Sequence, residues 1–343
     1  MKIIIAGNFS ADASIERYYY KYLSNYADVE YIDTSTDFNA EIKKSLVKKI
    51  LRRFDIKCVY NHINKKIRSQ IQDKEADVFL VFKGINIFSE TLQKIKGKGI
   101  YLVNYNPDHP FDFAGRGSGN KNITKSFNLY DLHISYSPVI IDLIKRRSDI
   151  KTAYLPFGFE LSDKIYQETL KYPEINKVCF IGSADKNRKD LIKYLLNTGI
   201  SVDVFGNGWK NRIKHDLLTA KDPVFNADFW INTRRYKVQL NIFRDHNIGS
   251  HNMRNYEVPG IGGILVTPYS DEQANCFNDG TEVVFFRDNK DCAHKISDIL
   301  SWDQNKVAEF RDNARLRSIT SKYTYKDRAF ELYQILQTAL KEK

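Results

Sequence analysis

The sequence predicts an α/β protein of two tandem Rossmann-like, doubly wound domains facing each other across a cleft. Three observations carry that expectation. The chain has 343 residues, about twice what one ordinary compact domain holds. Short apolar, β-rich runs alternate with helix-period segments, the pattern of a parallel sheet covered on both faces. That alternation stops at a polar stretch without a strand, residues 158–176, and then starts again.

In order, "KIIIAGN" reads as a buried strand, "SIERYYYKYLSN" as a helix and "VEYIDT" as a strand. A long basic helical region follows, then "DVFLVFKG" as a strand buried on both faces. "YLVNYN", "LHISYS" and "TAYLPFG" complete the first series, with the helix "PVIIDLIKRR" among them. The second series opens with "KVCFIGSA" and continues through "VDVFG", "VQLNIF", "GILVTP" and "EVVFF". Helices over 304–320 and 325–340 close the chain. The expected domains are 1–157 and 177–324, joined by 158–176, with 325–343 free to pack back on the first domain. In open sheets of this type ligands sit outside the carboxyl ends of the strands, so the loops there deserve inspection.

Composition narrows the partners. A 42% hydrophobic content with 13% aromatics supplies real cores and excludes global disorder. The net charge of +11 points to an anionic partner. Cys58, Cys179, Cys276 and Cys292 are scattered without C-x-x-C pairing, which fits a reducing compartment. "MKIIIAGNFS" is too short in its apolar run for a signal peptide, and no apolar run approaches a bilayer span. A cytoplasmic protein is expected.

The stretch "GSHNMRNYEVPGIGGILVTP" (249–268) concentrates the chemistry. Ser250 reads as an N-cap, with a helix from His251 through Glu257 to Pro259. A helix start offers unpaired N–H groups and partial positive charge, suited to phosphate. Arg254 in the first turn opposes the helix dipole, which a bound anion would explain. Arg244 and Asn247 add donors just upstream. An ordinary capped helix with a surface arginine is the plain alternative.

"FIGSADKNRK" ends a strand at Gly182–Ser183 and supplies Lys186, Arg188 and Lys189. Small residues let backbone approach a ligand and the cations neutralise a diphosphate; a solvated basic loop is the alternative. "FGNGW" makes a tight turn presenting Asn207 and Trp209. The indole can lie against a nucleobase or ribose, or belong to the core. In the first half, "NYNPDHPFDF" sets Asp108 and His109 after a strand, as catalytic groups at the expected cleft or as turn formers. Lys83 ends another strand beside the same cleft, or snorkels to solvent. Gly7 ends the first strand, at the same expected cleft. Residues 43–68, "KKSLVKKILRRFDIKCVYNHINKKIR", place Leu46, Ile50, Leu51 and Phe54 at helical spacing among Lys and Arg. Such a run is a solvated face on a packed helix, or a surface that docks on anionic membrane.

"LNIFRDHNIGSHNMRNYEVPGIGGILVTP" followed by "FNDGTEVVFF" resembles the C-terminal domain of CgeB-like glycosyltransferases. These are relatives of the retaining group-1 glycosyltransferases, which have the two-domain GT-B fold. "FIGSADKNRKDLIKYLLNTGISVDVFGNGW" and "VNYNPDHPF" extend the likeness, which covers about residues 77–320. It implies that Glu257 binds the donor ribose and that Arg188 binds phosphate. A second acidic residue common two turns earlier is replaced by Gly249, so sugar recognition shifts to Ser250, His251, Asn252, the neighbouring Met253 and backbone amides. The implied activity is transfer of a sugar, with retention, from a nucleotide diphosphate donor to a hydroxyl of a glycan or lipid-linked acceptor. A UDP-sugar is expected ahead of a GDP-sugar, with no cofactor and no nucleic-acid partner. No metal is expected, because the chain has no Asp-x-Asp and no H-E-x-x-H. The rivals are a sugar-nucleotide epimerase of the same shape and a non-catalytic protein that binds anions or nucleic acid.

Overall fold

The computed structural model describes residues 1–343 apart from 12, 55, 114–117, 245–248 and the side chain of residue 53. The chain forms two compact units, Met1–Pro156 with Tyr325–Lys343, and Phe157–Thr324.

The first unit is built on β1 (Lys2–Gly7), β2 (Asp28–Asp33), β3 (Val78–Phe82), β4 (Tyr101–Asn106), β5 (Leu132–Ser135) and β6 (Lys151–Tyr154). They pair in the order β2-β1-β3-β4-β5-β6, all parallel. Alternation along β1 explains the two layers of helix. Ile3 and Ile5 point into a core with Tyr19 and Leu23 of helix Ile15–Leu23 and with Leu332 and Leu336 of helix Tyr325–Lys341. Ile4 and Ala6 point the other way, to Phe38, Ile63, Ile67 and Leu92 of three further helices. The central strands β1 and β3 are therefore apolar on both faces, as a sheet between helices requires.

The second unit holds β7 (Ile175–Ile181), β8 (Val202–Phe205), β9 (Leu218–Lys221), β10 (Tyr236–Leu240), β11 (Leu265–Pro268) and β12 (Val284–Phe286). Their order is β12-β11-β10-β7-β8-β9, again all parallel. Val178, Phe180, Val202, Val204, Val238 and Val266 form one core with helices Lys186–Asn197 and Asn289–Ser301. Cys179, Phe205 and Tyr236 face the opposite side. The predicted class, two doubly wound parallel α/β sheets, is what the chain adopts.

Two elements escape the sequence pattern. β9 carries "LTAK" at the sheet edge, where no residue is fully buried, so no apolar run announces it. Residues 158–176 fall within the second unit and contain the helix Asp163–Thr169, whose N-cap is Ser162.

The strand orders locate the ligand-binding ends. Chain direction across the sheet reverses between β1 and β3 in the first unit and between β7 and β10 in the second. At each reversal the loops leaving the carboxyl ends diverge and open a crevice.

Candidate functional site

At the β7/β10 reversal the organising side chain is Arg188. Asp185 caps the helix Lys186–Asn197 by accepting from the Arg188 backbone N–H at 2.9 Å, which sets Arg188 in the first turn. Its Nε and Nη2 both donate to the Ile242 carbonyl at 3.2 Å, and its Nη1 to the Ser183 carbonyl at 3.0 Å. Arg188 thus ties the loop after β7 to the loop after β10. Three of its five N–H groups are used in this way, and its Nε also lies 3.4 Å from Asp185 Oδ2. Burial pushes its pKa down to about 10; Arg244 and Arg254 push the same way, while Asp185 opposes them. Arg244 and Arg254 thus lie near enough for their charge to act on Arg188. Like charges gathered in this way are a feature that marks candidate anion sites.

Arg244 is exposed on the loop after β10. Arg254 opens the helix Arg254–Gly260, lies over the Phe229 ring at 4.3 Å and pairs with Glu257. Its Nε is buried without a hydrogen-bond partner among the described residues. Glu257 is buried beside it. Gly182 sits at the end of β7, where an added Cβ would come within 2.9 Å of the Phe180 ring. Ser183 and Lys189 are half-buried, and Lys186 and Asn207 are exposed. Asn247 lies outside the described residues.

The structure corrects the expected helix start. The helix begins at Arg254, and Ser250 is not its N-cap. Asn252 Oδ1 accepts from the Arg254 N–H at 2.9 Å, and Asn255 Oδ1 accepts from the Asn252 N–H at 3.0 Å. The amides of Asn255, Tyr256 and Glu257 bond to the carbonyls of Asn252 and Met253. Asparagine side chains competed for these amides and closed the turn on itself, so the backbone there offers little to phosphate. The polar residues of the stretch hold the loop instead. Asn241, 2% exposed, donates to Asn252, Asn255 and Thr267.

Ser250 and His251 also turn inward. The Ser250 hydroxyl donates to Glu272 at 2.8 Å. His251 is fully buried, its Nδ1 2.9 Å from Glu272 and its Nε2 accepting the Phe157 N–H at 3.2 Å. That pairing places the proton on Nδ1 and occupies both ring nitrogens. Both residues therefore support the loop rather than contact a sugar, leaving half-buried Asn252 and Met253 nearer the opening. Trp209 takes the core alternative. It is fully buried against Phe180, and its Nε1 donates to the Gly182 carbonyl at 2.7 Å.

At the β1/β3 reversal the first unit gathers a different set. Lys83, just past β3, adopts a left-handed backbone with φ 63° and pairs with Asp108. A lysine in that region is strained, a feature that clusters at functional sites. Asn104 steadies the turn, its Nδ2 reaching the Val81 carbonyl at 3.1 Å. His109 Nδ1 accepts from the backbone N–H groups of Phe111 at 3.2 Å and Asp112 at 2.8 Å. It is thus a turn former that carries its proton on Nε2, a donor rather than a base.

Sequence reasoning missed two members of this cluster. Glu16, in the first turn of helix Ile15–Leu23, accepts from the Asn8 N–H at 3.2 Å. A Cβ at Gly7 would stand 2.6 Å from its Cγ, so the glycine makes room for it. Burial raises the Glu16 pKa, against the pull of its own and the Asn8 backbone N–H and of Lys83. In sequence it looks like a routine first-turn acid. Asn106, 4% exposed at the end of β4, accepts from the Asp108 N–H at 3.0 Å, yet its Nδ2 has no partner among the described residues. A buried amide left open in this way marks the strand end as a candidate place for a polar group to bind. Its signal, the Asn at the strand end in "VNYN", was present but unweighted.

Residues 188–334 match a family model described as glycosyl transferase-like. No curated protein sequence matches the chain. Among solved structures, sucrose-phosphate synthase from Thermosynechococcus elongatus is similar with a TM-score of 0.70 at 10% identity, covering 100% of both chains. HepE of Anabaena, solved with UDP-glucose, gives 0.62 at 13% identity over 98% of this chain and 100% of its own. A Listeria monocytogenes protein assigned as a UDP-N-acetylglucosamine 2-epimerase gives 0.59 at 11% identity over 100% of this chain and 97% of its own. At such identities the likenesses establish a shared fold, the GT-B architecture. The family match, over less than half of the chain, likens its second half to glycosyl transferases, and the fold agrees with that likeness.

Proposed function

We propose that the protein is a CgeB-like glycosyltransferase that moves a sugar from a nucleotide diphosphate donor to a hydroxyl of a glycan or lipid-linked acceptor, as polysaccharide assembly requires. The observation that carries the reading is the convergence of Arg188, Arg244 and Arg254 at the β7/β10 reversal. Cleaving the bond between the anomeric carbon and the diphosphate leaves negative charge on the leaving group. Donors already in place stabilise that charge without reorganisation, usually the largest catalytic contribution. Glu257, oriented by its pair with Arg254, would accept hydrogen bonds from the ribose hydroxyls. Gly182, Ser183, Asn207, Asn252 and Met253 would complete the donor site.

In the first unit, Asp108 and His109 would meet the reacting sugar. His109 would act as a donor through Nε2, and Lys83 would hold Asp108. Gly7 and Lys83 would border the acceptor. UDP is the favoured nucleotide, since the fold is shared with HepE, whose structure holds UDP-glucose. Retention of configuration rests on the family resemblance. A lipid-linked acceptor would bring the protein to the inner face of the membrane, with residues 43–68 as the contact.

Metal independence belongs to the same proposal. The arginines would neutralise the diphosphate, and the described residues contain no cluster of three or more metal-ligating side chains. The epimerase reading is the competitor, because the fold is also shared with the Listeria protein. Incubation with UDP-glucose and UDP-N-acetylglucosamine, in excess EDTA, with and without a glycan acceptor, decides between them. Acceptor-dependent release of UDP is expected. Epimerised donor without acceptor would replace the transferase reading, and activity restored only by Mg²⁺ or Mn²⁺ would remove the metal-independent site.

A further inference from the structure

The helix Leu46–Arg53 is built unlike its neighbours. Helix Thr36–Lys44 buries Phe38 and Ile42, and the 3₁₀ turn Lys57–Tyr60 buries Val59 and Tyr60. Between them, no described side chain of Leu46–Arg53 is fully buried, and Leu51 packs in part against the core. Leu46 is 76% exposed, Val47 64%, Ile50 57% and Phe54 69%. Positions 46, 50 and 54 recur at i, i+4 and i+8, with 47 beside them, so the four share one stripe roughly 100° wide. Ile56 continues the exposed apolar surface. A stripe of that width ordinarily faces a core, yet here it stands in solvent. The plain alternative, a solvated face on a packed helix, fails because the apolar side is the one in solvent.

The charges around the stripe say what covers it. Lys43, Lys44 and Lys49 are exposed and have no carboxylate partner among the described residues. Lys48 pairs with Glu41, and Arg52 lies over the Phe38 ring. An apolar stripe flanked by unpaired cations matches a surface with an apolar interior and anionic headgroups. None of the described helices is long and apolar enough to cross a membrane. We infer that the helix Leu46–Arg53 docks in the plane of an anionic lipid bilayer, with Leu46, Val47, Ile50 and Phe54 inserted among the acyl chains and Lys43, Lys44 and Lys49 at the headgroups. The inference sharpens the membrane contact of the proposed function but rests on this surface alone, not on catalysis.

The test is sedimentation of the full chain with vesicles of mixed phosphatidylcholine and phosphatidylglycerol at low salt, against vesicles of phosphatidylcholine. Binding to the anionic vesicles alone, weakening with added salt, is expected. Leu46→Ser/Ile50→Ser/Phe54→Ser should reduce it about tenfold or more. Lys43→Glu/Lys44→Glu/Lys49→Glu should do at least the same, at roughly fivefold for each cation lost. Both variants should keep the Tm, because no altered side chain is buried. Failure of the unaltered protein to sediment overturns the inference, as does undiminished binding by the serine variant. Self-association of the unaltered protein that the serine variant abolishes also overturns it, by assigning the stripe to a second copy. UDP affinity measured in parallel separates the two proposals: loss of nucleotide binding with vesicle binding intact strikes the transferase reading only.

Discussion

The two strand-end clusters share a topology and differ in charge. Around the β1/β3 reversal the ionisable groups are of both signs: Lys83 pairs with Asp108, and half-buried Glu16 accepts from the Asn8 N–H. Around the β7/β10 reversal cations prevail, with Arg188, Arg244 and Arg254 set against Asp185 and Glu257. A doubly wound sheet supplies a crevice wherever its strand order reverses, but the loop side chains decide what the crevice holds. A polar cluster of both signs suits a neutral polyhydroxyl group. A cationic one suits a diphosphate. One fold used twice thus yields two chemistries.

The largest effect should come from breaking the cationic cluster. Arg188→Ala removes the tie between two loops and leaves the Ile242 and Ser183 carbonyls unpaired. Roughly 3 kcal/mol or more of stability should be lost, with UDP affinity falling more than tenfold. Thermal unfolding and calorimetry check both, and a variant that binds UDP like the parent removes Arg188 from the donor site. Glu257→Gln comes next and sharpens the nucleotide assignment. Exchanging a charged acceptor for a neutral one should cost about 1.5–3 kcal/mol in UDP affinity with little change in Tm. Equal affinities in parallel titrations would take ribose recognition away from Glu257.

Trp209→Phe should separate packing from binding. The indole is enclosed and bonded to Gly182, so about 1 kcal/mol of stability should go while UDP affinity holds. Weakened binding at unchanged Tm would return the indole to the ligand. The smallest effect concerns the cluster of both signs. Burial raises the Glu16 pKa above 4.5, so the native state holds that proton more firmly than the unfolded chain does. This favours the fold fully below the unfolded pKa and is lost as pH rises through the folded one. At about pH 7 the Glu16 carboxyl is therefore a liability, and Glu16→Gln should raise the Tm there while giving no gain near pH 4. A Tm lowered at neutral pH would mean that Lys83 and the amides already make the carboxylate favourable.

What the sequence determined follows from periodicity and from chain chemistry. Apolar runs such as "DVFLVFKG" bury both faces wherever they fold, so strands, helices and a double parallel architecture were legible, as were the cationic loops at Arg188, Arg244 and Arg254. β9 was not, because an edge strand needs no apolar run. Tertiary structure alone decided how polar side chains are spent. Nothing in "GSHNMRN" says that Asn252 and Asn255 close their own helix turn, or that His251 gives both nitrogens to Glu272 and Phe157. Glu272 and Phe157 come from other parts of the chain. It likewise decided that Trp209 is core, that Gly7 makes room for Glu16, and that the apolar stripe of Leu46, Ile50 and Phe54 stays in solvent. Spacing fixes which residues share a face; only packing against other elements fixes whether that face is buried, because burial belongs to the neighbour as much as to the residue.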